Sequence, residues 1–239
     1  MEKILKKLTY PDPKPNQVFY EETFWAKQAY ICGIDEVGRG CLAGPVITSA
    51  VILFPFATHP LLKDSKILSE KNRLTAAQWI LKNSWFSYGI VDNSEIDRIN
   101  IYKATQEAMR QAVYGLFSQA IGPWRPETIL IDAMPLVVPY LSPMPEIISF
   151  PYGESRSISI AAASILAKVK RDELITRMGA YFPGYSFEEH KGYGTSDHQK
   201  ALLVKGPSLL HRATFIENFL PKEVVHEPTT DKQGSFLQA

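Results

Sequence analysis

Cysteine is scarce in this chain: Cys32 and Cys41 are the only two among 239 residues. They form no CxxC pair and lack the dense, even spacing of a disulfide scaffold, so they read as buried thiols in a reducing compartment. Long apolar runs are missing too. The start, Met1 to Gln17, mixes Lys3, Lys6 and Lys7 with three prolines, so neither a signal peptide nor a membrane span is expected, and the location expected is cytoplasmic. No charge of one sign dominates, since 26 Lys and Arg stand against 25 Asp and Glu. That balance argues against a purely electrostatic nucleic-acid binder, and any basic surface has to be local. No internal repeat has the period of a solenoid or propeller. What is present is 45% hydrophobic residues, enough for one sizeable core.

The expected order of elements follows from periodicity and punctuation. Residues 1–28 read as an extended, Pro-rich lead and 220–239 as a loose polar tail, leaving 29–219 as the globular body. Ala29 to Ile34 and Val46 to Phe54 are apolar, β-branched runs bounded by Gly and Pro, predicting a first hairpin. Ser69 caps a helix whose Leu74, Ala77, Ile80 and Leu81 share one face, and Ser84 to Val91 returns to strand. A short and then a long helix run from Ser94 until Gly122-Pro123 stops them, and "ETILIDAMP" gives a strand ending at Asp132. Ile147 to Pro151 is a further strand. Arg156 to Gly179 is strongly helical, with an Ala-rich start that permits close approach to a sheet. Later helices are expected over Ser196 to Lys205 and around His211 to Phe219. Strands first, then helices alternating with strands, predict an α/β fold with a mixed sheet flanked by helices. Carboxylates at its strand ends would face a shared crevice.

One string has no use in a packed core: "GIDEVGRGCLAGPV", residues 33–46. Asp35 and Glu36 follow an apolar strand, and in continued strand geometry their side chains point to opposite faces. For both to serve one site the chain is expected to leave the strand there, helped by Gly38 and Gly40, which accept positive φ and close approach. The bland alternative is a solvated turn. Asp132 ends the charge-free run "TILI" and is either a site residue or the cap of the next turn. Asp172 continues the stripe Ile158, Ala162, Ile165, Val169 by one step and is expected to face the body; its bland partner is Lys168, four residues earlier. Carboxylates converging from such distant positions repel one another unless cations sit among them. Mg²⁺ or Mn²⁺ suits such ligands, whereas zinc lacks its His/Cys spacing. Two such ions roughly 4 Å apart activate water and stabilise the leaving oxygen in phosphodiester hydrolysis.

Six blocks in order, "GIDEVGRGCLAGPV", "DSKILSEKNR" (64–73), "ILIDAMP" (129–135), "SISIAAASILAKVKRDELI" (157–175), "HKGYGTSDHQKAL" (190–202) and "GPSLLHRATF" (206–215), resemble the successive signatures of bacterial ribonuclease HII. The resemblance implies a ribonuclease H-like fold with a C-terminal helical extension and a Mg²⁺ or Mn²⁺ site of Asp35, Glu36, Asp132 and Asp172. It implies endonucleolytic cutting of RNA in RNA/DNA hybrids, and 5′ to a single ribonucleotide in duplex DNA, leaving 5′-phosphate and 3′-hydroxyl ends. The implied context is ribonucleotide excision repair and DNA replication. By the same resemblance Gly38, Arg39 and Gly40 read the 2′-hydroxyl at the RNA–DNA junction and Tyr193 stacks on the next sugar. A monomer is expected, with a replication-clamp contact through the C-terminal tail. Independently, a 2′-hydroxyl is the feature that separates RNA from DNA, and bare backbone reaches it best.

Lys66, Lys168, Lys170, Lys191 and Arg212 fall within these blocks as candidate phosphate contacts, with solvated surface as the rival reading. Glu154 stands where the family often has aspartate. His190, His198 and His211 read as structural rather than as acid/base groups. Two other readings stand beside the first: a type 3 ribonuclease H, which Arg39 and the short lead argue against, and a non-catalytic nucleic-acid-binding module.

Overall fold

The computed structural model describes residues 20–119 and 125–220. Its strands are β1 (Ile31–Val37), β2 (Val46–Leu53), β3 (Ser84–Val91), β4 (Thr128–Asp132) and β5 (Glu146–Phe150). They form one mixed sheet in the order β3-β2-β1-β4-β5. The first three are an antiparallel meander, and β4 and β5 add in parallel beyond β1. The helices are α1 (Tyr20–Trp25), α2 (Glu70–Ile80), α3 (Asn93–Ile99), α4 (Ile101–Gln119), α5 (Ile158–Gly179), α6 (Phe187–His190), α7 (Ser196–Lys205) and α8 (Ala213–Ile216). None is long and apolar enough to cross a membrane.

Strand alternation sorts the core into two layers. Cys32, Ile34, Ala50, Ile52, Ile129 and Ile131 meet Met109, Ala112, Val113 and Leu116 of α4 on one face. On the other, Val51 and Leu53 pack with Ile158, Ala162, Ile165 and Leu166 of α5 and with Ala76, Ala77 and Ile80 of α2. The Ala-rich start of α5 does come close: a Cβ on Gly33 would lie 2.2 Å from the Ser159 carbonyl carbon. Any side chain at Gly33 would therefore push α5 off the sheet. Ser157 caps α5 by accepting from the Ile160 amide.

Several expectations need correction. Within the lead expected to be extended to residue 28, Tyr20–Trp25 is helical, and Trp25 and Glu21 are buried. Glu21 Oε1 accepts from Ser157 Oγ at 2.6 Å and from the Ser159 amide at 2.9 Å, which ties α1 to the start of α5. On α2, Leu74 and Leu81 are 46% and 45% exposed. Small Ala76 and Ala77 let that helix settle against α5, and the bulkier leucines are left at the rim. The last helix shortens to Ala213–Ile216, and α6 has no counterpart in the expected order. The expected stop at Gly122-Pro123, most of the lead and the tail beyond Leu220 lie outside the described residues. The helices after α5 fold back on the β1–β2 connection: Ala43 packs with Tyr185, Phe187 and Leu210, and Leu42 with Leu202 and Ile216.

Candidate active site

β1 and β4 are parallel neighbours in the register Ile34↔Ile131. The next step along each strand is Asp35 and Asp132, so two carboxylates stand side by side at adjoining carboxyl ends, on the α5 side of the sheet. The chain does not leave the strand at this point, contrary to expectation. Asp35 and Glu36 both stay in β1, paired across to Ser49 and Thr48, so their side chains leave on opposite faces, yet the charge of Glu36 still reaches Asp35. The turn begins at Gly38, whose φ is +95°. Glu36 holds Arg39 Nη1 at 3.3 Å through Oε1, while its buried Oε2 has no hydrogen-bond partner. Asp132 Oδ1 accepts from the Gly153 amide at 2.9 Å.

That amide belongs to a short 3₁₀ turn, Gly153–Ser155, which also carries Glu154 into the group. Ser65 Oγ lies 2.9 Å from Ser164 Oγ and 3.5 Å from Glu154 Oε1. Burial, and then the negative charges of Glu36, Glu154 and Asp132, push Asp35 well above the usual carboxylate range. Burial raises Glu36 as well, against the opposing charge of Arg39. Burial likewise raises Glu154, against its hydrogen bond with Ser164. Partial burial pulls Lys66 down, yet Glu154, Asp64, Asp35 and Asp132 outweigh it and raise its ammonium. Lys66 therefore feels this cluster from one side, as Arg39 does through Glu36.

Asp172 sits apart from it. Its half-buried carboxylate receives Lys168 Nζ at 2.8 Å and Arg73 Nη1 at 3.6 Å. The disfavoured alternative, the pair with Lys168 four residues earlier, is the one the structure contains, and Arg73 joins it in place of the other acids. Among the described residues, no three His, Cys, Asp or Glu side chains are gathered closely enough to ligate a metal ion. The donor chemistry nevertheless fits a hard divalent cation. Buried carboxylates raised by one another, a buried and partnerless Glu36 oxygen and adjacent serine hydroxyls are what such an ion would satisfy.

The turn after β1 is held from behind by two arginines. Arg212, fully buried, donates from Nε and Nη2 to Gly44 O at 2.9 and 2.8 Å, from Nη2 to Gly38 O at 2.7 Å, and from Nη1 to Arg39 O at 3.0 Å. Arg171, also fully buried, donates to Pro45 O at 3.1 Å, Ala43 O at 3.0 Å and Lys191 O at 2.8 Å. Both guanidiniums spend their forked donors on backbone carbonyls, all of them between residues 38 and 45 except Lys191 O. Arg212 is thus a clamp and not a phosphate contact. A Cβ on Gly38 would sit 2.2 Å from Arg171 Nε, whereas one on Gly40 would meet nothing within 4 Å. Packing requires glycine at the first position and not at the second.

The remaining candidates divide. Tyr193 is 38% exposed, its ring lying 5.1 Å from Lys168 Nζ and 5.6 Å from Arg171 Cζ. Burial pushes its phenol up to about 12. Lys191 folds inward, donating to Thr176 Oγ1 at 3.0 Å and to Glu188 O. Lys170 pairs with Glu173 at 3.4 Å on the rim. Both cysteines are buried free thiols.

The profile of the ribonuclease HII family matches residues 32–218. The chain belongs to that family. It is 46% identical over 197 residues to ribonuclease HII of Lactobacillus delbrueckii, covering 82% of this chain and 73% of that one. It is 41% identical over 196 residues to ribonuclease HII of Thermus thermophilus, covering 82% and 90%. Among solved structures, ribonuclease H2 of Pyrococcus horikoshii aligns with TM-score 0.63 at 21% identity, over 80% of this chain and 98% of that one. Ribonuclease HII of Archaeoglobus fulgidus, solved in complex with PCNA, aligns with TM-score 0.58 at 25% identity, over 72% and 86%. The ribonuclease H-like fold expected from the motifs is therefore present, and the chain is a ribonuclease H, a hydrolytic endonuclease.

In this ribonuclease HII chain, the residue that sequence reasoning missed is Arg171. A signal for it exists: Ala163, Ala167, Arg171 and Ile175 recur every four residues on α5, and all are buried. A charged residue inside an apolar helical stripe needs a reason for its burial. Ser65, Ser164 and Arg73 carry no comparable signal.

Proposed function

We propose that this enzyme cuts the RNA strand of RNA/DNA hybrids and the 5′ side of single ribonucleotides in duplex DNA, leaving 5′-phosphate and 3′-hydroxyl ends. The observation that carries this reading is the pairing of Asp35 with Asp132 at adjoining strand ends, beside a glycine turn whose carbonyls are fixed from behind. Asp35, Glu36, Asp132 and Asp172 hold Mg²⁺ or Mn²⁺, with Asp172 giving up Lys168 and Arg73 to do so. When bound, the divalent ions supply a nucleophilic water and neutralise charge at the scissile phosphate. The protein's part is to orient. The Gly153 amide fixes the rotamer of Asp132, and the Glu36 backbone amide fixes that of Asp35 at 2.8 Å.

Gly38, Arg39 and Gly40 read the 2′-hydroxyl. The open space over Gly40 and the exposed Arg39 leave backbone available to a sugar edge, as recognition of that hydroxyl requires. Tyr193 stacks on the neighbouring deoxyribose, and Lys66 and Lys168 take phosphates on either side. Lys191 serves the loop instead, by its inward hydrogen bonds. The enzyme acts in the cytoplasm in ribonucleotide excision repair and DNA replication. The tail, 220–239, contacts a replication clamp, a reading supported by the PCNA complex of the Archaeoglobus relative. The test is cleavage of a duplex with one ribonucleotide, mapped at nucleotide resolution with and without EDTA. A single cut 5′ to the ribonucleotide, lost in chelator and restored by Mg²⁺ or Mn²⁺, is expected; cutting that persists in chelator, or equal cutting of all-DNA duplex, overturns the reading.

A further inference from the structure

Three histidines from the C-terminal part of the chain stack in its interior. His190 and His198 lie face to face with ring centroids 4.1 Å apart and planes 12° apart, and His211 follows at 5.1 Å from His198. Tyr185 and Phe187 close over them. Their hydrogen bonds can be assigned a direction, because a backbone amide can only donate and a carbonyl can only accept.

The Ser208 amide donates to His211 Nδ1 at 2.9 Å. That nitrogen carries no proton, so neutral His211 bears its proton on Nε2, which lies 3.0 Å from His198 Nε2. His198 Nε2 must then accept, which leaves the proton of His198 on Nδ1. His198 Nδ1 lies 2.9 Å from the Tyr193 carbonyl oxygen, where it can only donate. His190 is fixed in the same way. The Gly192 amide donates to its Nδ1 at 3.1 Å, so its Nε2–H donates to Tyr185 O at 2.7 Å. Burial lowers His198, and burial together with its histidine neighbours lowers His211 to about 4, so both are neutral near pH 7 as this arrangement needs.

We infer that Ser208, His211 and His198 form a one-way hydrogen-bond relay ending on the Tyr193 carbonyl, and that His198 and His211 are positioning residues for Tyr193. The backbone around that tyrosine has other ties: its amide donates to His190 O at 2.9 Å, and Gly194 O accepts from Gln199 Nε2 of α7 at 2.8 Å. Lys191 O accepts from Arg171, Gly192 O from the Leu42 amide at 2.9 Å, and Tyr193 O from the Thr195 amide at 2.8 Å. The relay ties the Tyr193 carbonyl itself to α7 through His198 and, through His211, to the segment just before α8. With the carbonyl held from both sides, the Tyr193 ring keeps its place over Lys168 and faces the groove. The inference rests on the reading of Tyr193 as the sugar-stacking residue, and its test separates the two.

The first measurement needs no substrate. Long-range ¹⁵N–¹H correlation of histidine-labelled enzyme at pH 7.5 is expected to show the Nδ1–H tautomer for His198 and Nε2–H tautomers for His190 and His211. An Nε2–H tautomer at His198, or an imidazolium at either end of the relay, overturns it. The second compares variants on the single-ribonucleotide duplex. His211→Gln keeps a donor where Nε2–H was, and His198→Asn keeps one where Nδ1–H was, so each is expected to stay within about threefold of the parent kcat/KM. His198→Leu keeps neither and is expected to lose tenfold or more. Impaired Tyr193→Ala beside unimpaired His198→Leu overturns the positioning role alone. Normal cutting by Tyr193→Ala overturns the stacking role and the positioning role together, leaving the tautomers as assigned. Should His198→Leu fail to fold, a tenfold loss in His198→Asn or His211→Gln overturns the inference in its place.

Discussion

The two sides of the β1–β2 connection are built on opposite principles. On the carboxylate side, the charges of Glu36, Glu154 and Asp132 all bear on Asp35, burial raises Asp35, Glu36 and Glu154, and a buried Glu36 oxygen has no hydrogen-bond partner among the described residues. On the arginine side, two fully buried guanidiniums form no ion pair among the described residues, yet six backbone carbonyls accept from them. One side carries unmet polar demand that a cation and a phosphodiester can answer. The other has answered its demand internally, so the turn that we propose meets the nucleic acid keeps one shape. Under the proposed function, frustration is placed at the chemistry and rigidity at the discrimination.

Removing charge from the first side should have the largest effect. Asp35→Asn or Asp132→Asn is expected to lower kcat about a thousandfold, roughly 4 kcal/mol of transition-state stabilisation. Single-turnover rates at saturating Mg²⁺ measure this directly, and near-normal turnover in either variant removes the paired carboxylates from the mechanism. Folding stability should hold or rise, because each change relieves repulsion between buried acids.

On the second side the pattern reverses. Arg212→Met keeps the stem but strips donors from Gly38, Arg39 and Gly44, a loss of about 3 kcal/mol after partial relief of charge burial. For a chain of this size that is a fall of roughly 6–12 °C in Tm, read by calorimetry. The salt dependence of duplex binding should keep its slope, since the clamp touches no phosphate. A slope reduced by about one would restore Arg212 as a phosphate contact.

The histidine stack behind the clamp gives an effect of similar size with a pH signature. His211 stays neutral in the fold, at about 4 against an ordinary 6.5, while the unfolded chain takes up a proton below 6.5. Its share of stability is therefore complete above about pH 6.5 and drains away as pH falls to 4, by about 3 kcal/mol in all. Urea titrations of parent and His211→Gln across that window should diverge by this amount, with the variant the flatter. Parallel curves would mean that the imidazole is not held neutral.

How far the sequence discloses these two sides differs for a physical reason. The strand end that delivers Asp132 is legible, because a β-branched run stopping at a lone acid leaves a pattern in the letters, and the apolar run that leads into Asp35 is legible too. The limits Ser84 to Val91 and Ser196 to Lys205 are legible for the same kind of reason, through turn and cap residues. The clamp is not. Its acceptors are main-chain carbonyls, which every residue carries, so nothing in "GRGCLAGP" announces that Arg171 and Arg212 bind it. The path of β1 through Glu36 is hidden as well, because antiparallel pairing with Thr48 and Ser49 prolongs the strand beyond its apolar letters. Leu74 and Leu81 mislead since α2 seats its alanines against α5, and periodicity alone does not reveal a neighbour's shape.

The smallest effect separates the glycines. Gly38→Ala must bear a φ of +95° and a Cβ driven against Arg171, so about 2 kcal/mol of stability is expected to go, and with it the shape of the turn. Gly40→Ala meets no protein atom and should cost less than about 0.5 kcal/mol. If Gly40 faces a sugar, its alanine variant will melt like the parent yet cut a single-ribonucleotide duplex poorly, because the added methyl occupies space left for the substrate. A Gly40→Ala enzyme that matches the parent in both melting and cutting would confine recognition to Gly38 and Arg39, and the open space above residue 40 would then serve no ligand.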